Sequence, residues 1–374
     1  MAKIAFVYSP SAHWLGGKNY YLSLFSDLQR SDTVNQLYIF TGNDYPTPEL
    51  NEFTNFNIIY TSLLNKKFAR LHQVCNLFIS ENVYLGYILK KHKINYLSHS
   101  YISRFFGIKS VPWVPDFQHS YLPELFKPKE LKRRNKRITR YLKHGDILVS
   151  SNSAYCDAHK FFNPSNNIYV YKFKPLPVNN KTIVNRESLE EDLNVKFPFV
   201  FLPNQFWKHK NHLVFFEAVA KLKEKGNSIN VVCSGAFSDY RNPEYSSLVK
   251  QKITSLGLND NVHLVGVVNR DIFNSLLEHS TVLVNPSLFE GWSTTVEEGK
   301  QSSKVMLLSN IPVHIEQVED YIGITEFFDP RSVESCTQQL MNVLENTDKP
   351  RAIANNKDIP TYRFEDILKK VVDE

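Results

Sequence analysis

The second half of the chain alternates short apolar runs with segments of helical periodicity, and this alternation constrains the fold more than any other feature. The runs are Phe199 to Pro203, Asn230 to Ser234, Val262 to Val267, Val282 to Asn285 and Val305 to Ser309. Parallel strands need long crossover connections and are buried on both faces, so a parallel sheet reads in this way. Between the first two runs, Asn211 to Lys225 places Phe215, Ala218, Val219 and Leu222 on one helical face and is closed by Gly226. Arg270 to His279 and Thr294 to Ser303 supply later crossover helices, and Val333 to Leu344 packs a last one on the sheet. The pattern predicts an α/β, doubly wound domain.

The first half repeats the theme less regularly, with strands predicted at Ile4 to Tyr8, Leu37 to Thr41, Asn57 to Thr61, Ile94 to Ser98, Ser110 to Val114, Ile147 to Ser151 and Ile168 to Phe173. Tyr20 to Leu28 reads as its first crossover helix. Lys172 to Asn180 carries two prolines and breaks both periodicities, so the domain junction is expected there. At about 150 residues per domain, 374 residues allow two or three domains, and the two α/β halves on either side of this junction account for them as two. We expect an N-terminal Rossmann-like domain over 1–178, completed by a C-terminal helix within 360–374, and a C-terminal Rossmann-like domain over 179–359. Two such domains facing each other form a central cleft, the usual place for a ligand.

Composition removes several alternatives. An apolar share of 42% with 22% charged residues excludes disordered and collagen-like chains. Cys75, Cys156, Cys233 and Cys336 are far apart and make no CxxC pair, which fits a reducing cytoplasm and argues against structural zinc. The apolar run after Lys3 is too short for a signal-peptide core, and no stretch approaches the roughly 18 apolar residues of a membrane span. The net charge of +6 favours anionic ligands or surfaces.

The chemistry concentrates in Asn285 to Lys300, NPSLFEGWSTTVEEGK. A strand ends at Asn285, a loop carries Glu290 and Gly291, and a helix begins near Ser293 or Thr294. Free amides around Ser293 to Thr295 and the helix dipole suit a phosphate or pyrophosphate. Glu298 follows Glu290 by eight positions, so one carboxylate precedes the helix and the other lies a turn inside it. Carboxylates accept hydrogen bonds from sugar hydroxyls, and a ligand containing a sugar, a phosphate and a ribose would satisfy the whole set.

This segment resembles the E-x7-E motif of the retaining glycosyltransferases with the GT-B fold, of the family-four or group 1 type. The resemblance runs from about Phe199 to Pro330 and more loosely over the first half. It implies that Glu298 binds the nucleotide ribose, that Glu290 lies by the donor sugar, and that amides after Gly291, with Trp292, Ser293 and Thr294, hold the diphosphate. In FLPNQFWKHKNH, Phe201 to His212, Lys210 matches the family's diphosphate-binding lysine. Gln205 stands where an arginine is expected; it can donate a hydrogen bond but adds no charge, and Lys208 or a neighbouring histidine is the candidate to compensate. Val267 belongs to the pocket that selects the sugar or base.

Three features of the first half complete the expectation. Gly16 and Gly17, in WLGGKNY after the first strand, form a loop that lets the backbone approach the donor. His119, in the Pro- and aromatic-rich stretch Val111 to Phe126, matches a cleft histidine that contacts the donor sugar, with Asp116 orienting it or binding an acceptor hydroxyl and His99 held in reserve. The basic run from Lys127 to Arg140 is a solvated helix face or a contact for an anionic membrane.

The resemblance implies a cytoplasmic, peripherally membrane-associated glycosyltransferase that moves a sugar from a nucleotide-diphosphate donor to a glycan or lipid-linked glycan. It needs no metal or other cofactor, and its setting is bacterial surface polysaccharide. Two rivals remain: a nucleotide-sugar epimerase of the same fold, and a basic nucleic-acid-binding protein. The second lacks a recognition helix, zinc finger or RNP-like sequence, so no nucleic-acid partner is expected.

Overall fold

The computed structural model describes residues 1–10, 15–32, 35–68, 83–175, 182–346 and 363–373. The chain divides into two compact units. The first comprises Met1–Phe117, Pro128–Leu176 and Pro360–Glu374, and the second Gln118–Lys127 and Pro177–Ile359. The long junction thus falls at 176/177, and part of the Lys172 to Asn180 stretch lies outside the described residues. The difference from the expected division is the segment Gln118–Lys127, which groups with the second unit instead of the first.

The first unit is built on β1 (Lys3–Val7), β2 (Gln36–Thr41), β3 (Phe56–Tyr60), β4 (Tyr96–His99), β5 (Lys109–Val114), β6 (Ile147–Val149) and β7 (Ile168–Val170), with α1 (Leu15–Gln29), α2 (Val83–Lys91), α3 (Pro128–His144) and α4 (Asn152–Phe162). Its strands form a seven-stranded sheet in the order β3-β2-β1-β4-β5-β6-β7. Helix α1 begins five residues before the predicted Tyr20 start, so Gly16 and Gly17 occupy its first turn and do not form a loop. Buried Tyr20, Leu24, Phe25 and Leu28 supply the apolar face that packs this helix, and that burial outweighs the roughly 1 kcal/mol helix penalty of each glycine. Trp14 lies outside the described residues. The predicted C-terminal helix is present at Phe364–Asp373; Phe364 packs on Tyr171 at 5.1 Å, and Lys109 Nζ donates to Val371 O at 3.0 Å.

The second unit contains α5 (Arg186–Leu193), β8 (Phe199–Leu202), α6 (His212–Glu224), β9 (Asn230–Ser234), α7 (Tyr245–Ser255), β10 (Val262–Gly266), α8 (Arg270–His279), β11 (Val282–Asn285), α9 (Thr294–Gln301), β12 (Met306–Ser309), α10 (Pro312–Val318), β13 (Thr325–Phe328) and α11 (Val333–Glu345). Its six-stranded sheet runs β10-β9-β8-β11-β12-β13, with every neighbouring pair parallel. One face carries Phe215, Val219 and Leu222 of α6, Val249 of α7 and Leu340 of α11; the other carries Leu189 of α5, Leu276 of α8 and Val296 of α9. Strands β8, β11 and β12 are buried throughout, which is why they read as unbroken apolar runs.

The chain winds outward from β8 through β9 to β10, returns to the centre at β11 and winds the other way to β13. Between β8 and β11 the crossovers diverge to opposite faces and leave a crevice at the carboxyl ends of the strands. The two segments singled out by sequence leave the sheet at that point.

Candidate active site

Strand β8 leads through Asn204 and Gln205 into a 3-10 turn, Lys208–Lys210, and then α6; β11 leads through 286–293 into α9. The two loops are bonded to each other. Asn204 Nδ2 donates to Asn285 Oδ1 at 3.1 Å, and Asn285 Nδ2 donates to Ser293 Oγ at 2.9 Å. Leu288 N–H donates to His209 O at 2.8 Å, and Asn211, in the left-handed region, donates through Nδ2 to Pro286 O at 3.0 Å.

Lys210 Nζ lies 2.6 Å from Glu290 Oε1, although the two are 80 residues apart in sequence. Burial alone would push the Glu290 carboxyl up; Lys210, with His209 and His314 nearby, instead pulls it down to about 2. Ser287 Oγ stands 2.7 Å from the same oxygen. Glu298 is buried behind the first turn of α9, and Arg270 Nη1 reaches its Oε1 at 2.5 Å. Here burial prevails over the arginine, and the carboxyl stays above its ordinary value. Both motif glutamates are therefore held by a cation through one oxygen.

The amides differ from expectation at one position. Ser293 is the helix N-cap, its Oγ accepting from Val296 N–H at 3.3 Å, but its own N–H is taken by Gln317 Oε1 at 3.1 Å. Gln317 Nε2 also donates to Ser293 O and to Glu297 Oε1, each at 2.9 Å. Gln317 thereby ties Glu297 into the fold and engages the Ser293 amide within the protein. The donors left for an anion are the amides of Thr294 and Thr295, which have no intrahelical acceptor in the first turn. Gly291, Trp292 and Gln205 line the loops half-buried, Lys208 is exposed, and Val267 stands 63% exposed just beyond β10.

Sequence reading missed Asp239 and Arg241, in the connection after β9. Asp239 accepts from Lys208 N–H at 3.1 Å and from Arg241 N–H at 2.9 Å. Arg241 Nη1 donates to Gln118 Oε1 at 3.0 Å, and its guanidinium lies 4.7 Å from the Phe126 ring and 5.2 Å from that of Trp207. Tyr121 meets Phe289 at 5.4 Å. These contacts explain why Gln118–Lys127, and buried His119 with it, belong to the second unit, while half-buried Asp116 stays in the first. Arg270 was also missed; a cation in a helix's first turn sits at the unfavourable end of the dipole, a signal of a partner outside the helix. His99 is a core residue: its Nε2 lies 2.7 Å from Tyr20 OH and its Nδ1 2.7 Å from Ser98 Oγ, and burial lowers it to about 3. Among the described residues, no three His, Cys, Asp or Glu side chains group to hold a metal.

Residues 185–358, almost the whole second unit, match the family model for glycosyl transferases group 1. The protein is a glycosyltransferase with a group 1 domain. Solved structures similar to the glycosyltransferase share its fold. Anabaena HepE in complex with UDP-glucose is 16% identical, with all of both chains covered and a TM-score of 0.70. A glycosyltransferase from Rickettsia africae is 17% identical, covering 100% of this chain and 97% of that one, at a TM-score of 0.66. Sucrose-phosphate synthase from Thermosynechococcus elongatus is 15% identical over 93% and 90%, at 0.65. The architecture is GT-B. No curated protein matches this glycosyltransferase by sequence.

Proposed function

We propose that the glycosyltransferase takes a sugar from a nucleoside-diphosphate donor with retention of anomeric configuration, and passes it to a glycan or lipid-linked glycan of bacterial surface polysaccharide, such as O-antigen or capsule. The pairing of both motif glutamates with cations beside the amino end of α9 carries this reading. The diphosphate lies against the amides of Thr294 and Thr295 and against Lys210. Glu298 accepts from the ribose, and Glu290 from the sugar hydroxyls, while His119 contacts the sugar. As the bond from the anomeric carbon to the phosphate oxygen breaks, its electrons go to the diphosphate. The acceptor hydroxyl bonds to the carbon on the same face and gives its proton to the departing phosphate. Stabilisation of the leaving group is the main catalytic term. The positive groups needed come from the protein, so the reaction is metal-independent. The likeness to Anabaena HepE in complex with UDP-glucose supports a nucleotide-sugar donor of that class.

Screening UDP-, GDP-, ADP- and dTDP-sugars for protection against thermal unfolding is the first test; one or more should raise the unfolding temperature, in line with linkage. Glu298→Ala should remove most of that shift. Incubating the selected donor with an acceptor should then yield a glycoside of the donor's anomeric configuration by NMR. Formation of an isomeric nucleotide sugar, or of an inverted product, would defeat the reading.

No helix among the described residues is long and apolar enough to cross a membrane. Helix α3 buries Ile138 and Leu142 and exposes Lys129, Lys132, Arg133, Lys136 and Arg137. This face supports peripheral attachment to an anionic cytoplasmic leaflet, each cation contributing about 1 kcal/mol near the surface. Vesicles with phosphatidylglycerol should sediment the protein at low salt and release it at high salt, whereas neutral phosphatidylcholine vesicles should not bind it. Reversing Lys132, Arg133, Lys136 and Arg137 to glutamate should abolish sedimentation; unchanged binding would remove α3 from the proposal.

A further inference from the structure

We infer that Arg270 is a positioning residue for the donor, holding the Glu298 carboxylate by Oε1 so that the second oxygen is left for the ribose hydroxyls. The inference rests on the donor reading above. Glu298 is 6% exposed, and Arg270 is its single side-chain partner among the described residues. The two glutamates of α9 are handled separately, because Glu297 is engaged by Gln317 and Lys300 and does not compete for the guanidinium. No other charged group among the described residues bears on Glu298.

The placement of Arg270 has no explanation within its own helix. It opens α8 directly after the N-cap Asn269, where the dipole disfavours a cation. Its guanidinium carbon lies 4.9 Å from the Phe273 ring, one turn on, which steadies the side chain while it reaches across to α9. Its side chain is 43% exposed, so the pair adds little to folding stability. Its effect falls on Glu298: a carboxylate buried this deeply takes up a proton readily, and the cation opposes that. A neutral carboxyl is a poorer acceptor for ribose hydroxyls and presents an O–H of its own.

The test uses the full chain with UDP, GDP, ADP and dTDP as probes, titrated calorimetrically between pH 6 and 8.5. For the diphosphate that the native protein binds, R270A should bind more weakly than native at pH 6, with the loss growing by up to about tenfold for each pH unit below the variant's raised carboxyl value, and should recover as the pH rises. R270K should stay close to native. E298Q should bind weakly at every pH, because it has nothing to titrate. Unfolding temperatures of R270A and R270K within a degree or two of native would confirm that the fold is intact. Native affinity for R270A across the whole range overturns the inference. A loss of equal size at every pH also overturns it, since that is the mark of a direct or structural contact. If the native protein binds none of the four diphosphates, the donor reading itself falls.

Discussion

Replacing Lys210 by alanine is expected to lower the turnover of sugar transfer by about 10²- to 10³-fold, the usual effect of removing one group that stabilises developing charge. The structure adds a second consequence. Glu290, with a side chain only 9% exposed, would lose the cation 2.6 Å away and become an isolated carboxylate. Breaking a buried pair from one side costs about 3 kcal/mol, so the variant should melt earlier than the native protein. In the native protein the Glu290 carboxyl is held at about 2, so the stability it confers is complete above the ordinary carboxyl value and is lost as the pH falls toward 2. Without Lys210, burial raises the carboxyl above its unfolded value and the sign reverses. The stability deficit of Lys210→Ala should therefore shrink as the pH is lowered from 7 to 5. Adding Glu290→Gln should recover much of the melting temperature and none of the turnover, which separates the two roles. Near-native transfer by Lys210→Ala would show that the diphosphate lies elsewhere.

Gly235→Ala should be among the most damaging single substitutions in the second unit, although nothing marks this glycine in the sequence. It sits at φ +135° after β9, and a Cβ there would stand 2.6 Å from Asn204 O and 2.9 Å from Gln205 Cα. Both neighbours are backbone and cannot rotate away. Relieving the clash moves Asn204, whose amide holds Asn285 and through it the cap of α9. A loss of about 3 kcal/mol is expected from overpacking with backbone strain, together with loss of nucleotide protection in thermal unfolding. Gly257→Ala is the control. It shares a positive φ, +64°, but a Cβ there meets nothing within 4 Å, so only the left-handed strain of about 1 kcal/mol remains. Equal effects at the two positions would show that backbone conformation, and not the approach to Asn204, makes Gly235 necessary.

Legibility varied with how local the signal was. Strands β8, β9, β11 and β12 were readable to within a residue because burial on both faces makes each a continuous apolar run. Edge strand β13, with the sequence TEFF, carries two polar residues in four and was missed. Helix α7 was missed as well, since its buried Tyr245, Val249 and Ile253 are diluted by serines and lysines. The start of α1 was misplaced because paired glycines read as a turn, whereas the apolar face that follows them extends the helix backward.

At the site, sequence alone determined the two glutamates, their places before and within α9, and the basic loop after β8. These depend on a spacing of eight and on the order of strand, loop and helix, all properties of neighbouring residues. Only the tertiary structure decided which charge answers which. Glu298 is met by Arg270 across 28 residues and Glu290 by Lys210 across 80. The Lys210–Glu290 pair is set where crossovers diverge at the centre of a doubly wound sheet, and the Arg270–Glu298 pair where two helices of the same sheet come side by side, both of which bring distant segments within hydrogen-bonding reach. A one-dimensional pattern records periodicity along the chain and carries no trace of that convergence, so the partners of Glu290 and Glu298 became visible only in the fold.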